Sequence, residues 1–382
     1  MNIPRSLMPI LLEKLRTSPK GIVLYGARQV GKTTLVNELL HRLGLKVLTI
    51  NGDQNRYIDT LSSRDIHKIK SLVEGYDVLF IDEAQRIPEI GIHLKIILDS
   101  LPVLKVIATG SSSLDLASKI SEPLTGRVWT YRLYPLSFLE LSGIHNRIEL
   151  DAMLEERLRY GSYPEIFSYN GDAQKREYLH NLNDAYLYKD LFELGGLRNS
   201  SKIRDLLKLI AFQIGSLVSL SELGNRLEMG KDTVDRYIDF LEKSYIIFRL
   251  SGLSRNSRKE ISKMDKIYFY DLGVRNIVID NLKPLTDRDD AGSLWENFLM
   301  VERLKYLAYT QQHGAPYFWR THTGAELDYV EEKEGQLQGY EFKFGSKIVK
   351  APKGWLAAYP QATFTLVNRD TYMPFIVGKR VV

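Results

Sequence analysis

The sequence predicts an α/β protein in several parts. These are a five-stranded parallel sheet around a phosphate-binding loop, a helical segment, a helix-turn-helix module with two strands, and a second α/β domain. Three observations carry this expectation. Residues 26–33 read Gly-Ala-Arg-Gln-Val-Gly-Lys-Thr, flanked by an apolar run and a leucine-periodic stretch. A second apolar run, Val78-Leu79-Phe80-Ile81, ends in Asp82-Glu83. Far along the chain, Asp328 on one strand is matched by Glu341-Phe342-Lys343 on the next.

Gly21-Ile22-Val23-Leu24-Tyr25 is short, apolar and β-branched, as a buried parallel strand is. Leu35, Leu39, Leu40 and Leu43 then recur at helical spacing, and Gly44 stops the helix. Strand, glycine loop and helix together aim backbone N–H groups and a helix N-terminus at a polyphosphate. The expected nucleotide contacts are Gly26, Ala27, Arg28, Gln29, Val30, Gly31, Lys32, Thr33 and Thr34. Lys32 is expected to reach the β- and γ-phosphates of ATP, and the Thr33 hydroxyl to sit on Mg²⁺. A chance lysine in a glycine turn would lack both flanking elements.

Such a loop needs a carboxylate at the end of a neighbouring strand, and Asp82 is the expected Mg²⁺ partner. Glu83 is the expected base for the attacking water. A GTPase more often positions water with Gln, so Asp-Glu favours ATP. A further strand, Leu104–Thr109, ends in Gly110-Ser111-Ser112-Ser113, polar residues that either sense the γ-phosphate or cap a turn. Leu124-Thr125-Gly126-Arg127 precedes a fifth strand, Val128–Leu133. There Arg127 is a finger in cis, a finger in trans, or a solvated loop residue.

The set Gly-Ala-Arg-Gln-Val-Gly-Lys-Thr-Thr, Phe-Ile-Asp-Glu-Ala-Gln, Thr-Gly-Ser-Ser-Ser, Leu-Thr-Gly-Arg and Tyr-Pro-Leu-Ser-Phe resembles prokaryotic AAA+ ATPases. In that family an ATPase core precedes a C-terminal domain of unknown function. The resemblance runs from Ile3-Pro4-Arg5 to the final strands and includes Gly161-Ser162-Tyr163-Pro164-Glu165. The family usually has Pro where this chain has Ala27, a loop position that contributes mainly its backbone. The resemblance implies an ATPase core over 1–136 and a helical lid over 137–198 that closes on the nucleotide.

With 382 residues, two or three domains are expected. A hydrophobic content of 44% and a charged content of 26% are those of an ordinary globular protein. No run approaches the roughly eighteen apolar residues of a membrane span, so no membrane partner is expected. The start lacks the basic and apolar pattern of a signal peptide. The absence of cysteine excludes disulfides and thiolate chemistry, and fits a cytoplasmic location. Fifty-two basic residues against forty-seven acidic ones permit nucleic-acid binding without demanding it.

Over 199–275 a winged helix-turn-helix is predicted. Ile203, Leu206, Leu207, Ile210 and Ile214 share one face, and Ser219-Leu220-Ser221-Glu222 caps a second helix. Val234, Tyr237, Ile238 and Leu241 line a third, followed by β-rich runs at Tyr245–Leu250 and Ile267–Asp271. The third helix would present Lys231, Thr233 and Arg236 to DNA, and Ser254–Lys259 would be the wing. Asp232, Asp235 and Asp239 on the same helix speak for protein contacts instead.

Over 276–382, Glu296 lies near the start of a helix, and a turn at Glu334-Gly335 joins two strands. A two-residue turn sets Lys333 opposite Gln336, Asp328 opposite Glu341 and Glu326 opposite Lys343, all on one face. Side-by-side acids are costly without a cation between them. This part resembles the PD-(D/E)XK nucleases. That resemblance implies that Asp328 and Glu341 bind Mg²⁺ or Mn²⁺, that Lys343 orients water or stabilises phosphate charge, and that Glu296 supports the metal. The sequence therefore predicts an ATP-hydrolysing, DNA-acting enzyme, with homo-oligomers an open expectation. The contrasting expectation is an ATP-dependent switch or assembly protein whose nuclease-like domain is inactive.

Overall fold

The computed structural model describes residues 3–110, 124–184, 200–254 and 264–378. Packing divides the chain into two units: Pro4–Tyr134 with Lys243–Tyr245, and Pro135–Glu242 with Ile246–Val382 and Met1–Ile3.

The first unit is built on five parallel strands: β1 (Gly21–Tyr25), β2 (Val47–Asn51), β3 (Val78–Asp82), β4 (Lys105–Gly110) and β5 (Val128–Arg132). Their order is β2-β3-β4-β1-β5. Every residue of β1 is buried, as are the first four of β3, because central strands are covered on both faces. The edge strand β2 alternates and leaves Thr49 exposed. Helices α1 (Leu7–Thr17), α2 (Lys32–Leu43), α3 (Asn55–Ser62), α4 (Ile66–Val73) and α5 (Ile90–Ser100) belong to the same unit. Leu35, Val36, Leu39 and Leu40 form the buried face of α2. The helix stops at Gly44, whose φ of 63° closes it in the left-handed region that a side chain would resist.

In the second unit, Ser137 and Glu140 form a capping box on the short helix Phe138–Leu141. The Phe138 N–H donates to Glu302 on the long helix Ala291–Tyr309 at 2.7 Å. The helices Arg147–Tyr160 and Leu272–Val278 pack so closely that a Cβ on Gly273 would lie 2.2 Å from the Tyr160 carbonyl. The helices Phe138–Leu141 and Arg147–Tyr160 thus belong to this unit. One division between the two units falls at Tyr134/Pro135.

Helices Ser200–Phe212, Leu220–Leu227 and Lys231–Lys243 follow. They accompany a three-stranded sheet of order β6-β8-β7, made of β6 (Leu217–Val218), β7 (Ile247–Leu250) and β8 (Asp265–Phe269). The last sheet has the order β12-β11-β10-β9: β9 (Ala315–Arg320), β10 (Glu326–Lys333) and β11 (Gln336–Phe342) form an antiparallel meander, and β12 (Thr363–Val367) runs parallel to β11. Leu253, Trp319, Leu327, Val330, Leu337 and Trp355 form one core cluster in this region. The ladder runs from Lys333 opposite Gln336 to Tyr329 opposite Tyr340, the predicted register. A β-bulge between Leu327 and Val330 then interrupts the pairing of β10 with β9. Asp328 lies at this bulge, where an extra residue enters the strand.

Candidate functional site

The phosphate loop begins where β1 ends. Gly26 is required by close approach, since a Cβ there would lie 2.3 Å from the Leu133 carbonyl oxygen. Gly31, with φ of 95°, is the residue from which α2 starts. Arg5 holds the loop from outside, donating to the Val30 carbonyl at 2.7 Å and to the Tyr134 carbonyl at 2.6 Å. Lys32 is buried, and its ammonium donates to the Gly26 and Ala27 carbonyls at 2.9 Å each. Ala27 and Val30 are buried, Arg28 is half-buried, and Gln29, Thr33 and Thr34 are exposed.

Asp82, at the end of β3, joins the two halves of the site. Its Oδ2 accepts from the Thr33 hydroxyl at 2.9 Å, and its Oδ1 accepts from the Thr109 hydroxyl. Thr109 reaches it because β4 lies between β1 and β3. The Glu83 N–H donates to Thr109 Oγ1 at 3.4 Å, and the Glu83 carboxylate accepts from the Gln85 side chain. Glu83 has φ of 51°, a strained value for a residue with a side chain and one that concentrates at functional sites. The oxygen pair Thr33–Asp82 suits a hard cation such as Mg²⁺. Thr109 and Arg5 are site residues that sequence reasoning did not assign. Ser111, Ser112 and Ser113 lie outside the described residues.

Arg127 immediately precedes β5, whose Val128 is in register with Gly21 at the start of β1. It therefore stands at the edge of the sheet opposite the phosphate loop, which follows the end of β1. Its guanidinium is paired with Asp99, at 2.7 Å from Nε and 3.0 Å from Nη2. A strand's length thus separates Arg127 from the loop of its own chain.

In the second unit, the sequence-predicted residues Glu296, Asp328, Glu341 and Lys343 come together with two more, Lys266 and Glu326. The Lys266 ammonium is 2.6 Å from Glu326 Oε1 and 3.2 Å from Glu296 Oε1, and only 2% of its side chain is exposed. The Tyr268 hydroxyl donates to Glu296 Oε1 at 2.6 Å. Asp328 Oδ2 accepts from the Phe342 N–H at 2.7 Å, and Lys343 donates to Glu341 Oε1 at 2.6 Å. Burial pushes the Glu296 carboxyl up to about 7, against the pull of Lys266. Burial works against the Lys266 charge, yet Glu296, Glu326 and Asp328 together hold its ammonium above the ordinary lysine range. Among the described residues, no three Asp, Glu or His side chains converge as a set of metal ligands. The predicted Mg²⁺ or Mn²⁺ site on Asp328 and Glu341 is therefore not shown: the carboxylates meet protein donors. Glu326, expected opposite Lys343, is paired instead with Lys266 and with Arg320 of β9.

On the helix Lys231–Lys243, Lys231 and Arg236 are exposed and Thr233 is half-buried. Asp235 is engaged by Arg249 of β7 at 2.8 Å, which removes part of the helix's negative charge from any partner. Of the expected wing, Ser254 is described, while Arg255–Lys259 lie outside the described residues. No helix among the described residues is long and apolar enough to cross a membrane.

Residues 18–142 match the family described as an AAA domain. With the phosphate loop and the strand order, this makes the N-terminal unit a P-loop ATPase domain of the AAA+ class, for which ATP hydrolysis is the family-level activity. Residues 151–285 and 291–377 match two further families, described as domains of unknown function (DUF8612 and DUF4143). An uncharacterized protein of Mycobacterium tuberculosis is 29% identical over 326 residues, 84% of this chain and 70% of its own length. An uncharacterized protein of Methanocaldococcus jannaschii is 25% identical over 385 residues, 87% of this chain and 79% of its own length. Among solved structures, the Walker-type ATPase of Pyrococcus abyssi is 19% identical, with 72% of this chain and 96% of that one covered and a TM-score of 0.48.

Proposed function

We propose that the protein hydrolyses ATP at Lys32, Thr33, Asp82 and Glu83, and uses the nucleotide state to control how its second unit engages DNA. The observation that carries the first half is the Thr33–Asp82–Thr109 chain of hydroxyl and carboxylate beside Glu83. The residues fit Mg²⁺, which would supply charge neutralisation between the β- and γ-phosphates. Lys32 stands ready at the loop mouth, Thr33 and Asp82 offer the metal-facing oxygens, and Glu83 takes the proton of the attacking water. Arg127 acts on the site of a neighbouring subunit in a homo-oligomer. Arg127→Ala is then expected to lower turnover on the order of 10³-fold with ATP affinity nearly unchanged. For the parent, activity should rise more than linearly with concentration. Turnover per molecule that stays constant from monomer to oligomer would rule the trans role out.

The DNA half rests on Lys231, Thr233 and Arg236 at the start of a helix that follows a helix and a tight turn, the arrangement of a winged helix-turn-helix. Charge reversal of Lys231 and Arg236 is expected to weaken duplex binding and to reduce the slope of log affinity against log salt by about 2. An unchanged slope would send the search to another surface. A second reading is favoured by the Lys266 ion pairs: the C-terminal domain has the nuclease-like Asp328, Glu341 and Lys343, but serves as a contact surface without cleavage. Incubation with labelled single- and double-stranded DNA, with and without Mg²⁺ or Mn²⁺ and ATP, separates the readings, because only the first allows metal-dependent cleavage.

A further inference from the structure

We infer that the carboxylate cluster of the second unit is built around a resident protein cation, Lys266, in place of the divalent ion that the nuclease reading requires. This rests on the second reading above and gives it a physical cause. Lys266 sits on β8, paired with Leu217 of β6 on one side and Leu250 of β7 on the other. Its stem is thus in the middle of a sheet, while its ammonium reaches Glu296 on the long helix and Glu326 on β10. The Phe318 ring, 5.6 Å from the ammonium to its centroid, covers it further. Burying an ammonium this deeply is strongly unfavourable unless carboxylates surround it, so its place is dictated by those acids.

The two kinds of cation exclude each other. A divalent ion of this class collects about six oxygens, mostly carboxylate, carbonyl and water. The Lys266 ammonium pairs with two acids of the same set, Glu296 and Glu326, and repels a second cation. Lys343 takes Glu341 in the same way, and Tyr268, from the same strand as Lys266, donates to Glu296. The three-stranded sheet is joined to the C-terminal sheet in another place as well, just past the end of β7: the Leu253 N–H donates to the Phe318 carbonyl at 2.7 Å, and the Phe318 N–H to the Ser251 carbonyl at 3.1 Å. The ion pairs therefore close a seam between the three-stranded sheet and the four-stranded one.

The test uses the full chain without nucleotide in a Lys32→Ala background, so that the phosphate loop contributes no metal binding. Mn²⁺ is titrated and the free ion is followed by electron paramagnetic resonance. The Lys32→Ala protein is expected to take up no Mn²⁺ at the cluster. Adding Lys266→Met is expected to create one Mn²⁺ site per chain, abolished in turn by Asp328→Asn. The same Lys266→Met protein should melt about 10 °C lower, with part of that loss restored by Mn²⁺. Mn²⁺ bound to the Lys32→Ala protein and lost on Asp328→Asn would overturn the inference, and this measurement decides even where Lys266→Met does not fold. A folded Lys266→Met chain that gains no Mn²⁺ would overturn it as well. Divalent-dependent DNA cleavage, read separately on the unmutated chain, defeats the reading of an inactive domain by a different observable.

Discussion

Lys32→Ala is expected to weaken ATP binding on the order of 10²- to 10³-fold, measured by titration calorimetry with ATP and Mg²⁺. The ammonium is buried against two loop carbonyls. Truncating one partner of a buried, hydrogen-bonded charge pair costs about 2–5 kcal/mol, which sets this range. Glu83→Gln is expected to behave oppositely: binding persists while turnover falls about 10²- to 10⁴-fold, the usual contribution of a general base. Parent-rate hydrolysis by Glu83→Gln would move the base elsewhere. The pair of variants separates a loop that holds nucleotide from a carboxylate that activates water.

Asp290→Asn is expected to be the most destabilising single change in the second unit. Asp290 accepts from Arg288 at 2.7 Å and 2.9 Å and also from Arg275. Arg275 in turn donates to the Ala211 carbonyl at 2.8 Å, and Asn276 donates to the Leu158 and Arg159 carbonyls at 2.9 Å each. One carboxylate thus neutralises two buried guanidiniums on which three helices lean. Its loss leaves them uncompensated, at about 3–5 kcal/mol. Although burial opposes its charge, Arg288 and Arg275 hold the Asp290 carboxyl down to about 2. A depressed carboxylate contributes stability that is present above its unfolded value near 4 and is lost as pH falls through 2. Urea unfolding of the parent should therefore weaken by about 1–2 kcal/mol across that window. The Asn variant should lack this component. An identical acid profile in both proteins would show that the pair contributes nothing net.

The nucleotide half of the first unit was legible because its demands are local. Gly26 and Gly31 are where the backbone cannot tolerate a side chain, and Asp82 closes an apolar run that can only be a buried strand. Thr109 was not legible as a ligand of Asp82, since that role depends on β4 inserting between β1 and β3, an order that adjacent residues do not encode. The edge strand β2 escaped for a different reason: Val47–Asn51 is short, and its half-exposed pattern carries little signal. In the second unit the turn at Glu334-Gly335 set the register of β10 and β11 correctly. The bulge near Asp328 has no marker residue, and Lys266, a lone lysine in an apolar run, reads like any strand residue until Glu296 and Glu326 are seen around it.

Arg5 has a mechanical consequence. One guanidinium grips the Val30 carbonyl inside the phosphate loop and the Tyr134 carbonyl at the end of the first unit's Pro4–Tyr134 segment. A planar fork cannot lengthen, so the two carbonyls move as if joined by a short rod. When the loop shifts around a phosphate, it either drags the chain's point of departure with it or breaks a hydrogen bond. The consequence of that choice is felt at Tyr134, at the far end of the Pro4–Tyr134 segment from Arg5.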